Sequence, residues 1–502
     1  MGKNLKLSEL CYYLFFGILF FAKGIGLYDG QAIFKLCLVT AAGFILAKLV
    51  LTSYDIREFI CILFLILLGV VIYYNSGEKS ALIFLVMMIG FKSISLERMM
   101  RIALVIWSAA FGGMVLCSML GIGKDTVMVH HKFGMDILRR GMGYSHPNVL
   151  HVSYAVLVVL ILFAIKKEQN RWKTYLWVTA GNLVVFLYSV SYTGFLLVMF
   201  FIFFDGYFTY RKNFSVVEKI VIQAIFPFCV LFSLFAPLLL EPDTPLFNIL
   251  NKLLNRRFYA SRLYLTENPL TLFGKRIYAS HTYALDSSYV TLLIYGGLVL
   301  FLLVCFGYVY AIYISMRKKA IKELSLLLSF AIAGVIEPFL FNLSFKNLSL
   351  LVIAGYLYTL CKNGKEITLF SGFDKEISAS LPEPLHFRSR GDRKPHEKKF
   401  AILAAVIAMI AGGSFYLTVN MPDIVYVEEK YCDIEGESIT IDPTEYETDE
   451  NVMLYGCTNS PANVYMLEGK TIAFERLRDT IRMLFVVFGI VNLLLSFVWQ
   501  RK

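Results

Sequence analysis

The sequence predicts an all-α polytopic membrane protein, and three observations predict it. Of 502 residues, 58% are hydrophobic and 17% charged, and the mean hydropathy is +0.64, outside the range of ordinary soluble chains. The apolar residues fall in long runs, and a bilayer core takes about 20 apolar residues per helix. The period-2 alternation of a membrane β-barrel is missing. In hydrocarbon, a helix satisfies its own backbone groups.

About fourteen runs qualify as spans: 9–23, 32–51, 58–74, 80–91, 100–121, 149–165, 174–188, 192–205, 217–240, 287–315, 324–341, 347–361, 400–419 and 479–499. With the N-terminus in the cytoplasm, basic residues sit at the inner ends. They are Arg57, then Lys92, Arg98 and Arg101, then Lys166 to Lys173, Arg211 to Lys219, and Arg317 to Lys322. An even span count puts both termini in the cytoplasm of a multi-pass cell-membrane protein. Lys3 and Lys6 precede the first run as in a signal peptide, but no small-x-small cleavage site follows, so it reads as an uncleaved helix. The net charge of +11 is therefore topological flank against anionic lipid, not a nucleic-acid footprint.

Composition divides the chain into a membrane body, 1–361, a basic Pro-containing cytoplasmic linker, 362–399, and a two-helix extension, 400–502. The extension's outward segment, 420–475, is acidic. Its stretches Ile424–Val427, Ser438–Ile441 and Val452–Tyr455 read as strands of a small extracytoplasmic β-rich module. Seven of the nine cysteines lie in or beside apolar runs and read as filler. Cys432 and Cys457 lie in the acidic segment, where a disulfide persists if their geometry allows one.

Two outward connections break the charge rule. Segment 122–148 carries Lys124, Lys132, Arg139 and Arg140, and segment 241–286 carries Arg256, Arg257, Arg262, Lys275 and Arg276. Positive charge on that face points to an anionic ligand. The first connection ends in His146-Pro147-Asn148, which suits a helix start, and helix N-termini attract anions. The bland alternative is a capped helix with incidental charge. In the second, Leu246 to Arg257 has helical periodicity, with Phe247, Leu250, Leu253 and Leu254 as an apolar face. Arg256, Arg257 and Arg262 follow, and guanidinium groups hold phosphate oxygens bidentately. There the alternative is an interfacial helix touching lipid head groups. Asp286 stands where a base or an N-cap would. Glu337 is either an ionisable group facing a cavity or the partner of Lys346.

The Arg-rich connection ending in His146-Pro147-Asn148, then Asn255-Arg-Arg-Phe-Tyr259, Asp286-Ser-Ser-Tyr289 before Gly296-Gly297, and Glu337-Pro338 with Asn342 and Lys346-Asn347 form a pattern over roughly residues 1–361. It resembles the Wzy-type polysaccharide polymerases of Gram-positive bacteria, within the O-antigen polymerase and ligase superfamily. The resemblance implies a glycosyltransferase C-like architecture. It implies a donor glycan on polyprenyl (undecaprenyl) pyrophosphate, a second lipid-linked repeat unit as acceptor, and a surface polysaccharide as product. A chain-length regulator or flippase of the same pathway is the expected protein partner.

In such a transfer the acceptor hydroxyl attacks the anomeric carbon while pyrophosphate leaves, and departure needs positive charge. Arg139, Arg140, Arg256, Arg257, Arg262, Lys275 and Arg276 are candidates for that role, with His146 and Asn148 holding sugar or phosphate. Asp286 is the first candidate base, His281 the second and Glu337 the third. The donor is already activated, so neither cofactor nor metal is expected. Ligases of the superfamily carry a histidine before the glycine pair, where this chain has Asp286-Ser287. The alternatives are ligase-like transfer to another acceptor and a flippase or exporter of lipid-linked sugars. The latter calls for charged or broken helices near the midplane.

Overall fold

A computed structural model describes residues 5–122, 125–132, 135–165, 171–211, 213–277, 285–340, 342, 345–360, 366–367, 374–377, 395–428, 439–441, 452–455, 462–467 and 469–500. Its helices are α1 (Leu7–Gly24), α2 (Ala32–Leu51), α3 (Ile56–Ser76), α4 (Ser80–Gly90), α5 (Leu96–Met119), α6 (Pro147–Ala164), α7 (Arg171–Ser189) and α8 (Tyr192–Tyr210). There follow α9 (Val216–Leu239), α10 (Pro245–Leu253), α11 (Arg257–Glu267), α12 (Ser288–Arg317), α13 (Ile321–Ala333), α14 (Ser349–Leu360), α15 (Pro395–Thr418) and α16 (Gly469–Gln500). Each apolar run marked in the sequence falls on a helix. Among the described residues, nine helices are long and apolar enough to cross a bilayer: α1, α2, α3, α5, α6, α8, α9, α12 and Lys399–Thr418 of α15. The chain is a polytopic α-helical membrane protein.

Among the boundaries that move, three do so for a local reason. Helix α13 stops at Ala333 rather than 341, because Pro338 disfavours helical geometry at Glu337, and Pro338–Leu340 form a 3-10 turn instead. Helix α15 begins at Pro395, a residue suited to the first helical position, so the linker's last basic residues belong to its first turns. Helix α16 begins ten residues before its apolar run, because hydropathy does not register a charged helical extension.

The strands are β1 (Leu5–Lys6), β2 (Tyr54–Asp55), β3 (Val127–Lys132), β4 (Met135–Arg140), β5 (Glu366–Ile367), β6 (Glu376–Ile377), β7 (Ile424–Glu428), β8 (Ile439–Ile441), β9 (Val452–Tyr455) and β10 (Ala462–Met466). The last four form one sheet in the order β8-β10-β7-β9, with β7 parallel to β9. The expected strands are there, with β10 added.

Contacts separate two units: Met1–Ser108, Ala155–Thr179 and Leu196–Glu383; and Ala109–Tyr154, Ala180–Phe195 and Pro384–Lys502. Composition places a boundary at 361, but contacts join the extension to the connection 122–148. In the second unit β3 and β4 make an antiparallel hairpin, and Val127, Val129 and Leu138 share a core with Val425, Val427 and Leu467. The alternation of Val127 and Val129 was its signal in the sequence.

The first unit contains a broken helix. At Gly297 (φ 76°, ψ 171°) α12 leaves helical geometry, which frees backbone groups that need partners. The segment ahead of the helix supplies them. The N–H groups of Leu298 and Val299 donate to the carbonyls of Thr271 (2.9 Å) and Leu272 (3.1 Å), and the Lys275 N–H donates to that of Ile294 (3.2 Å). Only glycine allows this approach, because a Cβ on Gly297 would stand 2.2 Å from the Gly274 nitrogen, and one on Gly274 2.0 Å from the Tyr295 oxygen.

Candidate functional site

In the first unit the turn between α10 and α11 uses two consecutive left-handed residues, Asn255 (φ 51°) and Arg256 (φ 64°). Neighbouring arginines consequently diverge. Arg256 stays exposed, whereas Arg257 opens α11 and is buried. Phe258 fixes that helix against Phe247 of α10, with ring centroids 5.2 Å apart. The expected apolar face of α10 is thus divided, with Phe247 turned inward and Leu253 exposed.

Arg257 gathers two of the candidate bases. Its Nε donates to Asp286 Oδ2 at 2.8 Å, and its Nη2 to Glu337 Oε1 at 3.4 Å. The Asp286 side chain is 29% exposed and that of Glu337 only 10%. Asp286 does not cap α12. Ser287 holds the N-cap position without a side-chain cap bond, which leaves the Asp286 carboxylate to Arg257. Burial works against charge on Arg257, but Glu337 and then Asp286 outweigh it and hold its pKa above the ordinary arginine value.

The start of α12 is stitched to the non-helical stretch after α13. Ser288 N–H donates to the Gly334 carbonyl (2.8 Å), Ser288 Oγ donates to the Glu337 carbonyl, and Leu340 N–H donates to Ser288 Oγ (3.1 Å). This fixes Glu337 relative to Asp286. Lys346 is also buried here, and its amine is pushed down to about 8 by burial, pulled back by the Glu337 charge and pushed further down by Lys23.

The other candidates of this segment have separate duties. Arg262 Nη1 donates to the carbonyls of Pro237 (2.8 Å) and Leu240 (2.7 Å), closing the C-terminus of α9 as a cation does. Lys275 is half-buried beside the break in α12, and the exposed Arg276 lies over Gly77, where a Cβ would stand 2.8 Å from its Nη2.

In the second unit, Arg139 and Arg140 are successive residues of β4, so their side chains leave opposite faces. They do not form one clamp. Arg139 donates from Nε to the Ser189 carbonyl (2.8 Å) and from Nη2 to Asn148 Oδ1 (2.6 Å). Arg140 donates to Glu475 (2.7 Å) and Asp479 (3.2 Å) of α16. Glu475 also pairs with the fully buried Arg478, whose guanidinium reaches the Leu138 carbonyl. His146 receives the Asn148 N–H on Nδ1 (3.0 Å), as a cap at the start of α6.

Sequence reasoning passed over a buried network beside Arg139. His151 bonds Ser189 Oγ (2.9 Å) through Nδ1 and Asn182 Oδ1 (2.7 Å) through Nε2. Val190 follows Ser189 with φ 43°, a strained setting for a β-branched residue. Its one signal was a histidine inside an apolar run. His281, Cys432 and Cys457 lie outside the described residues.

Fold and cluster together define a multi-pass membrane protein with a buried Arg257–Glu337 pair, joined by the half-buried Asp286, at the start of a broken helix. No protein-family model, curated protein or solved structure matches the chain.

Proposed function

We propose that the chain polymerises polyprenyl-pyrophosphate-linked repeat units on the extracytoplasmic face, with Arg257, Asp286 and Glu337 at its centre. The observation that carries this reading is the buried Arg257 guanidinium bridging two carboxylates, one of them reachable from solvent. Asp286 takes the proton of the acceptor hydroxyl, whose oxygen forms the new bond to the anomeric carbon as the bond to pyrophosphate breaks. Arg257 orients Asp286. Arg256, Lys275 and Arg276 meet the charge that develops on the departing pyrophosphate. A wholly apolar cavity of about 530 Å³, lined by Phe228 and Phe232 of α9 and by Leu254, Val335 and Ile336, accepts the polyprenyl chain. Leu254 and Ile336 place it within a few residues of Arg257 and Glu337.

One observation favours the exporter reading. The break in α12 and the non-helical stretch carrying buried Glu337 and Lys346 are features of transporters. Purified protein in lipid vesicles, given a synthetic polyprenyl-pyrophosphate repeat unit without nucleotide, separates the two. Polymerisation yields a ladder of longer lipid-linked glycans; lipid crossing the bilayer with no ladder selects export.

A further inference from the structure

Helix α10 turns an apolar stripe outward. Leu246, Ile249 and Leu253 stand at i, i+3 and i+7, on one side of the helix, and are 53, 63 and 76% exposed. The other side is polar. Asn248 is exposed there, and Asn251 Oδ1 accepts the Tyr259 N–H (3.0 Å). A contiguous exposed apolar stripe with a polar back marks a surface that something covers.

The neighbouring elements place that stripe at the bilayer. Only residues 240–244 separate α10 from the end of α9, a membrane-spanning helix, a reach of about 20 Å at full extension. Phe258 of α11 lies 6.0 Å from Phe232 of α9 and 5.2 Å from Phe247 of α10, between ring centroids. Phe232 stands seven residues before the end of α9, about 10 Å inside it by helical rise. The inward side of α10 is therefore anchored below the level where α9 ends, and α9 keeps Phe235 and Leu239 exposed up to that level. The far end of the connection dips as well. Thr271 and Leu272 pair with Leu298 and Val299 of α12, about 15 Å from the start of that helix, and Leu270 and Leu272 are exposed there. Charge does not provide the attraction, since the exposed Lys252 and Arg256 at one end of α10 are matched by the exposed Glu241 and Asp243 at the other.

We propose that α10 is an interfacial helix: Leu246, Ile249 and Leu253 rest in the upper acyl region of the bilayer, and the helix thereby holds Arg257 at head-group level. Its partner is the lipid surface. The link runs through Phe247 and Phe258, which fix the start of α11, where Arg257 stands. So placed, the Arg257–Asp286 pair meets the head group of a membrane-bound amphiphile rather than a freely soluble molecule. The lipid contact does not rest on the polymerase reading and stands if that reading fails.

The test uses the full chain in nanodiscs of zwitterionic phosphatidylcholine. Ile249→Trp and Asn248→Trp each put an indole at an exposed position, so packing is undisturbed, and the wild-type tryptophan signal is subtracted. Lipid brominated high on its acyl chains should quench Ile249→Trp at least about twofold more than Asn248→Trp, and aqueous iodide should quench them in the reverse order. Bromine at the chain ends should quench Ile249→Trp less than bromine high on the chains. Equal access of iodide to both positions puts α10 in water and overturns the proposal. An Ile249→Trp signal shielded from iodide and from both brominated lipids also overturns it, because a protein surface such as a second copy then covers the stripe. Stronger quenching from the chain ends does so too, since the segment then lies within the hydrocarbon. Absence of a glycan ladder would leave all of these intensities unchanged.

Discussion

Arg257 and Arg140 are alike in sequence and unlike in use. Both come from connections whose positive charge stood out, and both are buried, at 7% and 5% exposure. Each guanidinium reaches two carboxylates. Arg257 meets Asp286, which keeps 29% of its side chain exposed. Arg140 meets Glu475, which keeps 1%, and Asp479, which keeps 17%. The first arrangement leaves a carboxylate partly open to solvent; the second ties α16 to the β3–β4 hairpin. An arginine that stands out in the sequence thus signals an anion, but the anion can be the protein's own.

The largest expected effect is on chemistry at the open site. Asp286→Asn keeps size and loses the proposed base, and glycan transfer should fall by about 10²- to 10⁴-fold with little change in unfolding temperature. Next is the closed site, where the loss is in stability. Arg140→Met leaves Glu475 without one of its cations and should cost about 3–5 kcal/mol, read by thermal unfolding in detergent. Changing Arg140→Met, Glu475→Gln and Asp479→Asn together should return much of that. Gly297→Ala should also destabilise, by about 1–3 kcal/mol for the backbone conformation alone, before the clash with Gly274 is added. Arg257→Lys sharpens the comparison: it keeps the charge but cannot fork between Asp286 and Glu337, so activity should drop while the fold survives.

The smallest expected effect depends on pH. The Lys346 amine titrates near 8 in the fold against an ordinary 10.5, so between these values the unfolded chain binds more protons. Stability should therefore rise with pH through that window, and the rise should vanish in Lys346→Met when unfolding is compared at several pH values. Glu337 and Lys23 are the charged groups that act on this amine.

Helices were the legible part of this chain, because twenty apolar residues announce a span without any tertiary contact. Arg257, Asp286 and Glu337 were legible as charged residues beside such spans. Their meeting was not, since it depends on the stretch after Ala333 folding back onto Ser288. The pairing of Arg140 with Glu475 spans 335 residues, a distance no local pattern crosses. The β3–β4 hairpin was readable from Val127 and Val129, and it would have shown that Arg139 and Arg140 diverge. Ser189, Asn182 and His151 are ordinary residues until α6 and α7 meet.

The most direct test sets the two arginine sites side by side in the vesicle assay with the polyprenyl-pyrophosphate repeat unit. The account predicts a glycan ladder from the wild type and from the Arg140→Met, Glu475→Gln, Asp479→Asn protein, and none from Asp286→Asn. A ladder that persists in Asp286→Asn while the altered α16 contact abolishes it would contradict the account and move the chemistry to the other site.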